Sequence, residues 1–151
     1  MLGWFTNVIP VEDSSFTMSG TANYQWFGFD AECINGNELI VSAPGARTPD
    51  SGQAAGAVYG FSTTNKTLLF NIESTEAQGK LGWSLAYNKE LKVLAVGAPS
   101  KKVDDLVSAG QVYLYDLSTY STLSFSEHLN AIRSNERSSR FGKQLLWLKQ
   151  T

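Results

Sequence analysis

The chain contains the same sentence twice. "LIVSAPGAR" (Leu39 to Arg47) and "LAVGAPSKK" (Leu94 to Lys102) align at a shift of 55, with Leu39 on Leu94, Val41 on Val96, Ala43 on Ala98 and Pro44 on Pro99. Further on, "AGAVYGF" from Ala55 falls on "AGQVYLY" from Ala109 at a shift of 54, and upstream Phe27-Gly28-Phe29 falls on Leu81-Gly82-Trp83 at 82 − 28 = 54. Phe141-Gly142 opens a third copy 60 residues after Gly82. Self-similarity at a fixed period of this size is the mark of a repeat architecture, in which each unit buries its apolar faces against its neighbours.

Each unit reads as four strands. The first is "WFGFDAEC" in one copy and "LGWSLAY" in the other, with a glycine where another backbone comes close. The second, "ELIVSA" and "KVLAVGA", is apolar on both alternating faces, as in a strand covered on two sides. Proline ends it, because a residue without an N–H cannot continue a central ladder. The third is "GAVYGFS" and "GQVYLYDL"; the fourth reads as "TLLFNIES" and "TLSFSEH". Short strands at even spacing with no helical period predict an all-β chain, and four-stranded units marked by glycine and aromatics fit β-propeller blades.

The expected boundaries are an outer strand of a preceding blade in 1–24, with "SSFTMS" its best candidate, blades over 25–75 and 79–130, and the start of a further blade at 138–151. Propellers close with roughly 4 to 8 blades. The chain therefore reads as an incomplete propeller of about two and a half blades, a fragment of something longer.

Composition excludes several functions. The formal net charge of −2 supplies no basic field of the kind that phosphate backbones select, so nucleic acid is not an expected partner. No apolar run approaches the ~20 residues of a membrane-spanning helix, and "MLGWFTNVIP" lacks the basic and apolar regions of a secretory leader. Cys33 is the only cysteine, which rules out an internal disulfide and reads as a small apolar strand residue.

Gly82-Trp83-Ser84-Leu85-Ala86 approaches the G-x-S-x-G nucleophile elbow, but that motif needs a following helix, and the position of Ser84 is occupied by Asp30 in the first copy. Ser84 is therefore not expected to be catalytic. His128, with Glu127 beside it, is the only histidine and reads as an exposed residue at a strand end rather than part of a site. No catalytic, cofactor-binding or metal-binding residue is assigned.

Two features remain for binding. The loops that follow Pro44 and Pro99 carry Arg47 and Asp50 in one copy and Lys101, Lys102, Asp104 and Asp105 in the other, a candidate surface on one rim of the propeller. Asn65-Lys66-Thr67 is an N-glycosylation sequon in the hairpin between the third and fourth strands, with Asn65 the acceptor. Trp26, Phe27, Trp83, Tyr59, Tyr113 and Phe141 recur in register and read as blade-packing aromatics.

Phe-Gly followed about 16 residues later by Gly-Ala-Pro resembles the FG-GAP repeats of integrin alpha chains and of the C-terminal half of glycosylphosphatidylinositol-specific phospholipases D. "WFGF" at Trp26, "AVYGF" at Ala57, "GKLGWSL" at Gly79, "VLAVGAPS" at Val93 and "SRFG" at Ser139 are most similar to the phospholipase repeats, over roughly 16–148. The resemblance implies an extracellular parent that hydrolyses the phosphodiester of GPI anchors with a separate zinc-dependent domain, leaving this stretch as scaffold and substrate-positioning surface. Its implied partners are GPI-anchored proteins, or another protein or glycan, met through the rim loops. The alternative is an integrin-alpha-like adhesion propeller without catalysis.

Many FG-GAP repeats hold calcium in an acidic loop between the first two strands. Here "INGNEL" (Ile34 to Leu39) and "YNKEL" (Tyr87 to Leu91) stand in its place, too short and too poor in carboxylates for 6 or more oxygen ligands. Calcium is expected only in other blades, and Asn35-Gly36 reads as a tight turn with positive φ.

Overall fold

A computed structural model describes residues 19, 25–47, 52–120 and 123–146. Asp50 and all of 1–24 except Ser19, the last residue of "SSFTMS", lie outside the described residues. The described residues form eight strands and no helix: β1 (Ala31–Asn35), β2 (Glu38–Ala43), β3 (Ala57–Ser62), β4 (Thr67–Glu73), β5 (Ser84–Asn88), β6 (Val93–Ala98), β7 (Gln111–Asp116) and β8 (Asn130–Arg133). They make two four-stranded antiparallel sheets in the simple orders β1-β2-β3-β4 and β5-β6-β7-β8. This is the all-β form of incomplete propeller blades, with no closed barrel.

The two copies share one register. Leu39 pairs with Phe61 and Val41 with Tyr59, while Leu94 pairs with Tyr115 and Val96 with Tyr113. Because side chains alternate across a strand, Ile40 of β2 points toward the second sheet and joins Val58, Phe70 and Ile72 in one core with Leu94, Val96 and Tyr115. Leu39 points the other way and is half-buried, whereas its repeat partner Leu94 is fully buried. The difference follows from stacking: Leu94 faces the first sheet, and Leu39 faces away from the second.

The units are joined by matching links. Gly56 forms a parallel bridge with Leu81, and Gly110 forms the same bridge with Phe141. The Leu81 amide donates to Ala55 O at 2.9 Å and the Phe141 amide to Ala109 O at 3.0 Å. Gly56 (φ 94°) leaves no room for a Cβ, which would stand 2.2 Å from the oxygen of Leu81. Glycine is thus required where each third strand meets the next unit.

Three sequence expectations are corrected. The repeat glycines Gly28, Gly82 and Gly142 sit in turns before the first strands rather than inside them, with φ of 85°, 86° and 83°. Asn35-Gly36 does close the β1–β2 hairpin, but Gly36 is not at positive φ. Asn35 Oδ1 accepts the Asn37 amide at 2.8 Å, and a register shift between Cys33 and Asn35 absorbs the turn instead. Finally, the fourth strand of the second sheet is Asn130–Arg133, not "TLSFSEH". Leu123 and Phe125 of that segment pack on the core from an irregular stretch, and the Tyr115 hydroxyl donates to Phe125 O at 3.3 Å.

Candidate functional site

β1 begins, β2 ends and β3 begins at the same end of the sheet, so the repeat turns and the loops after proline share one rim. Each turn places a residue at φ near 55° two positions before its glycine: Trp26 (55°), Lys80 (56°) and Arg140 (52°). This left-handed pair reverses the chain so that two successive amides reach one carbonyl. Gly28 and Phe29 donate to Ser42 O at 2.9 and 3.3 Å, and Gly82 and Trp83 donate to Gly97 O at 3.0 and 3.2 Å. The residues flanking the glycines therefore stand off the sheet in equivalent places.

Stacking of the units brings these flanking residues together. Phe29 and Trp83 have ring centroids 4.8 Å apart, and Trp26 lies 6.2 Å from Phe29 and 6.3 Å from Trp83. Lys80 Nζ sits over both indoles, 5.2 Å from the Trp83 centroid and 5.6 Å from that of Trp26, within cation–π range. Trp26, Phe27, Gly28, Phe29 and Trp83 line an open cleft of about 470 Å³. Lys80, Trp83, Pro99, Ser100, Arg140 and Lys143 line an adjoining recess of about 120 Å³.

The packing expectation is thus corrected in part. Phe27 does pack, 5.8 Å from Tyr59 and 6.0 Å from Phe61, and Tyr113 is buried. Trp26 and Phe141, however, are 48% and 40% exposed, far from the burial of a core aromatic.

Four of the rim residues singled out from the sequence, Lys101, Lys102, Asp104 and Asp105, form ion pairs within the protein. Lys101 forms an ion pair with Glu76, whose carboxylate also accepts the Tyr113 hydroxyl at 3.2 Å, and burial pushes the Lys101 ammonium below its ordinary pKa. Lys102 lies 3.8 Å from Asp105, and Arg133 lies 3.5 Å from Asp104, all on the surface. Exposed pairs of this kind are worth roughly 0–1 kcal/mol each. Arg47 is exposed and bridges to Ala54 at the base of the first loop.

Ser84 is buried, and its hydroxyl donates to Gly142 O at 2.7 Å. It opens β5, with no helix after it, so the strand–turn–helix of a nucleophile elbow is not formed. His128 is half-buried rather than exposed: its Nδ1 is 3.2 Å from Phe125 O and its ring meets Tyr113 edge-on at 5.1 Å. Glu127, next to it, is exposed. Cys33 is exposed on β1. Asn65 is exposed in the β3–β4 turn, its amide donating to Ser62 Oγ at 3.2 Å. Among the described residues no group of three or more His, Cys, Asp or Glu is placed to hold a metal ion, and no helix is long and apolar enough to cross a membrane.

Phe29, Lys80, Arg140 and Lys143 were not indicated by sequence reasoning. Their signal is positional: Trp26, Lys80 and Arg140 precede the repeat glycines by two residues, and Phe29, Trp83 and Lys143 follow them by one.

No protein-family profile matches the chain. It is 29% identical to bovine (Bos taurus) phosphatidylinositol-glycan-specific phospholipase D over 161 aligned residues, covering 89% of this chain and 19% of the relative. It is 32% identical to the human (Homo sapiens) phosphatidylinositol-glycan-specific phospholipase D over 111 residues, covering 61% of this chain and 13% of the relative. The chain spans about a fifth or less of the curated relatives it matches, and what it shares with them is a distant sequence relationship to phosphatidylinositol-glycan-specific phospholipase D.

Proposed function

We propose that the chain is a segment of an FG-GAP propeller belonging to a secreted phospholipase D-like protein that acts on phosphatidylinositol-glycan anchors. Its own part is scaffold and substrate positioning. The similarity that runs through 89% of the chain carries the reading. It is supported by the repeated links Gly56–Leu81 and Gly110–Phe141, which suit stacked blades. Hydrolysis belongs to a domain outside this stretch, where the resemblance implies zinc; calcium, where it occurs, belongs to other blades.

In this reading the loops bearing Arg47, Asp50, Lys101, Lys102, Asp104 and Asp105 form the rim that meets a GPI-anchored protein or its glycan. The experiment is release of a GPI-anchored reporter from cells. The purified chain is expected to release none, and the chain together with its upstream coding sequence to release it in a zinc-dependent manner. Release by the chain alone, or an upstream region that confers adhesion without hydrolysis, overturns the proposal.

A further inference from the structure

The aromatic cleft and the basic recess beside it share Trp83 as their common wall, and Lys80 of the recess stands over the indoles of Trp83 and Trp26. Chemically they are complementary halves. The cleft presents the exposed faces of Trp26 and Phe29 together with Trp83, an apolar shelf of the kind on which the C–H face of a ring packs. Its volume of about 470 Å³ falls within the range of small-molecule sites. The recess, about 120 Å³, is several times a water's share of roughly 30 Å³ and presents the cations of Lys80, Arg140 and Lys143.

Apart from the cation–π contacts of Lys80, these cations are not neutralised by the protein. Among the described residues none of the three stands within ion-pair distance of a carboxylate. Asp30, next to Phe29 in sequence, turns its carboxylate to the amides of Ala31 and Leu85 at 2.9 and 2.8 Å. Three cations around one small recess repel each other, and a bound anion relieves that repulsion. Arginine and lysine are also the side chains that bind phosphate through charge-assisted hydrogen bonds. The negative charge of the whole chain disfavours a long polyanion, so the recess suits one phosphate.

We propose that this cluster is a binding site for a phosphorylated sugar, the ring lying on Trp83 with Trp26 and Phe29, and the phosphate held by Lys80, Arg140 and Lys143. It uses none of the loop residues assigned to the rim above. It also adds a ligand class to the positioning role, from which it takes no support. The site is built from three successive repeat turns, so each unit contributes one part and no single unit contains it.

The test is titration of the intact chain with mannose 6-phosphate, mannose and inorganic phosphate, followed by tryptophan fluorescence and calorimetry. Mannose 6-phosphate is expected to bind roughly tenfold or more tightly than either component alone, because each half contributes. Lys143→Gln and Arg140→Gln alter exposed side chains and should each weaken mannose 6-phosphate while leaving mannose unchanged and the circular dichroism spectrum intact. Trp83→Leu should weaken both sugars and spare inorganic phosphate. Equal affinity for mannose 6-phosphate and inorganic phosphate, insensitivity to the charge variants, or no binding of mannose 6-phosphate at millimolar concentration overturns the assignment. All readouts are of binding, so absence of hydrolysis by the parent protein leaves them unaffected.

Discussion

Asp30 Oδ2 accepts the main-chain N–H of Leu85 at 2.8 Å, linking the turn before β1 to the first strand of the next sheet. Leu85 is buried, so this amide has no water to replace the carboxylate. Asp30→Ala should destabilise the chain by about 1–3 kcal/mol, the cost of a buried donor left unpaired. The urea midpoint measures it, and an unchanged midpoint would show that the two sheets are not coupled through this bond.

The β1–β2 hairpin glycine and two repeat glycines can be ranked by physical demand. Gly36 has neither positive φ nor a neighbour within 4 Å of where a Cβ would stand, Gly28 has φ of +85° with open space, and Gly82 has φ of +86° with Ala57 O only 2.9 Å from its would-be Cβ. Alanine at Gly36 should be nearly neutral, at Gly28 should cost about 1–3 kcal/mol of backbone strain, and at Gly82 should cost more than at Gly28. Thermal melts of the three variants test the order.

At the position equivalent to Asp30, the Ser84 hydroxyl is committed to Gly142 O. Ser84→Ala should lower stability by about 1 kcal/mol and, under the function proposed above, leave release of a GPI-anchored reporter by the longer protein at its original specific activity. A selective loss of hydrolysis in correctly folded protein would instead give the serine a chemical role.

Alkaline pH should loosen the contact between the sheets. The Tyr120 hydroxyl donates to Glu38 at 2.9 Å across the two sheets, and burial, reinforced by that carboxylate, raises its pKa to about 12. Burial likewise raises Tyr113 and Tyr115. The folded state then holds protons that the unfolded state releases near pH 10, so stability is full below pH 10 and falls as pH rises toward 12. Melting temperature against pH should show that fall, and Tyr120→Phe should make it shallower.

Expression through the secretory pathway should place a glycan on Asn65, which the β3–β4 turn exposes. Electrophoresis before and after peptide N-glycosidase treatment should show a mobility shift that Asn65→Gln abolishes. An unshifted secreted chain would remove this residue as a modification site.

Most strands were legible because their cause is local. "ELIVSA" is β2 without adjustment, and "TLLFNIES" and "KVLAVGA" each exceed β4 and β6 by one residue, since a run of β-formers stopped by proline or turn residues leaves few alternatives. β8 was not legible. Leu123 and Phe125 alternate like strand residues, yet they anchor an irregular segment on the core, while the exposed "NAIR" becomes the strand because the Leu129 amide reaches Leu114 O at 2.7 Å and sets the pairing. A hydrogen-bond partner on another strand leaves no trace in local pattern.

The repeat and its all-β form were already present in the order of residues, because period and turn chemistry act over a few positions at a time. The aromatic and basic cluster was not, since Trp26, Lys80 and Arg140 lie 54 and 60 residues apart, at 80 − 26 and 140 − 80. Within a single unit nothing sets Lys80 or Arg140 apart, and Trp26 reads there as a packing aromatic. Only the stacking of one sheet on the next brings Lys80 over two indoles and beside Arg140, because charge and ring faces interact through space and not along the chain.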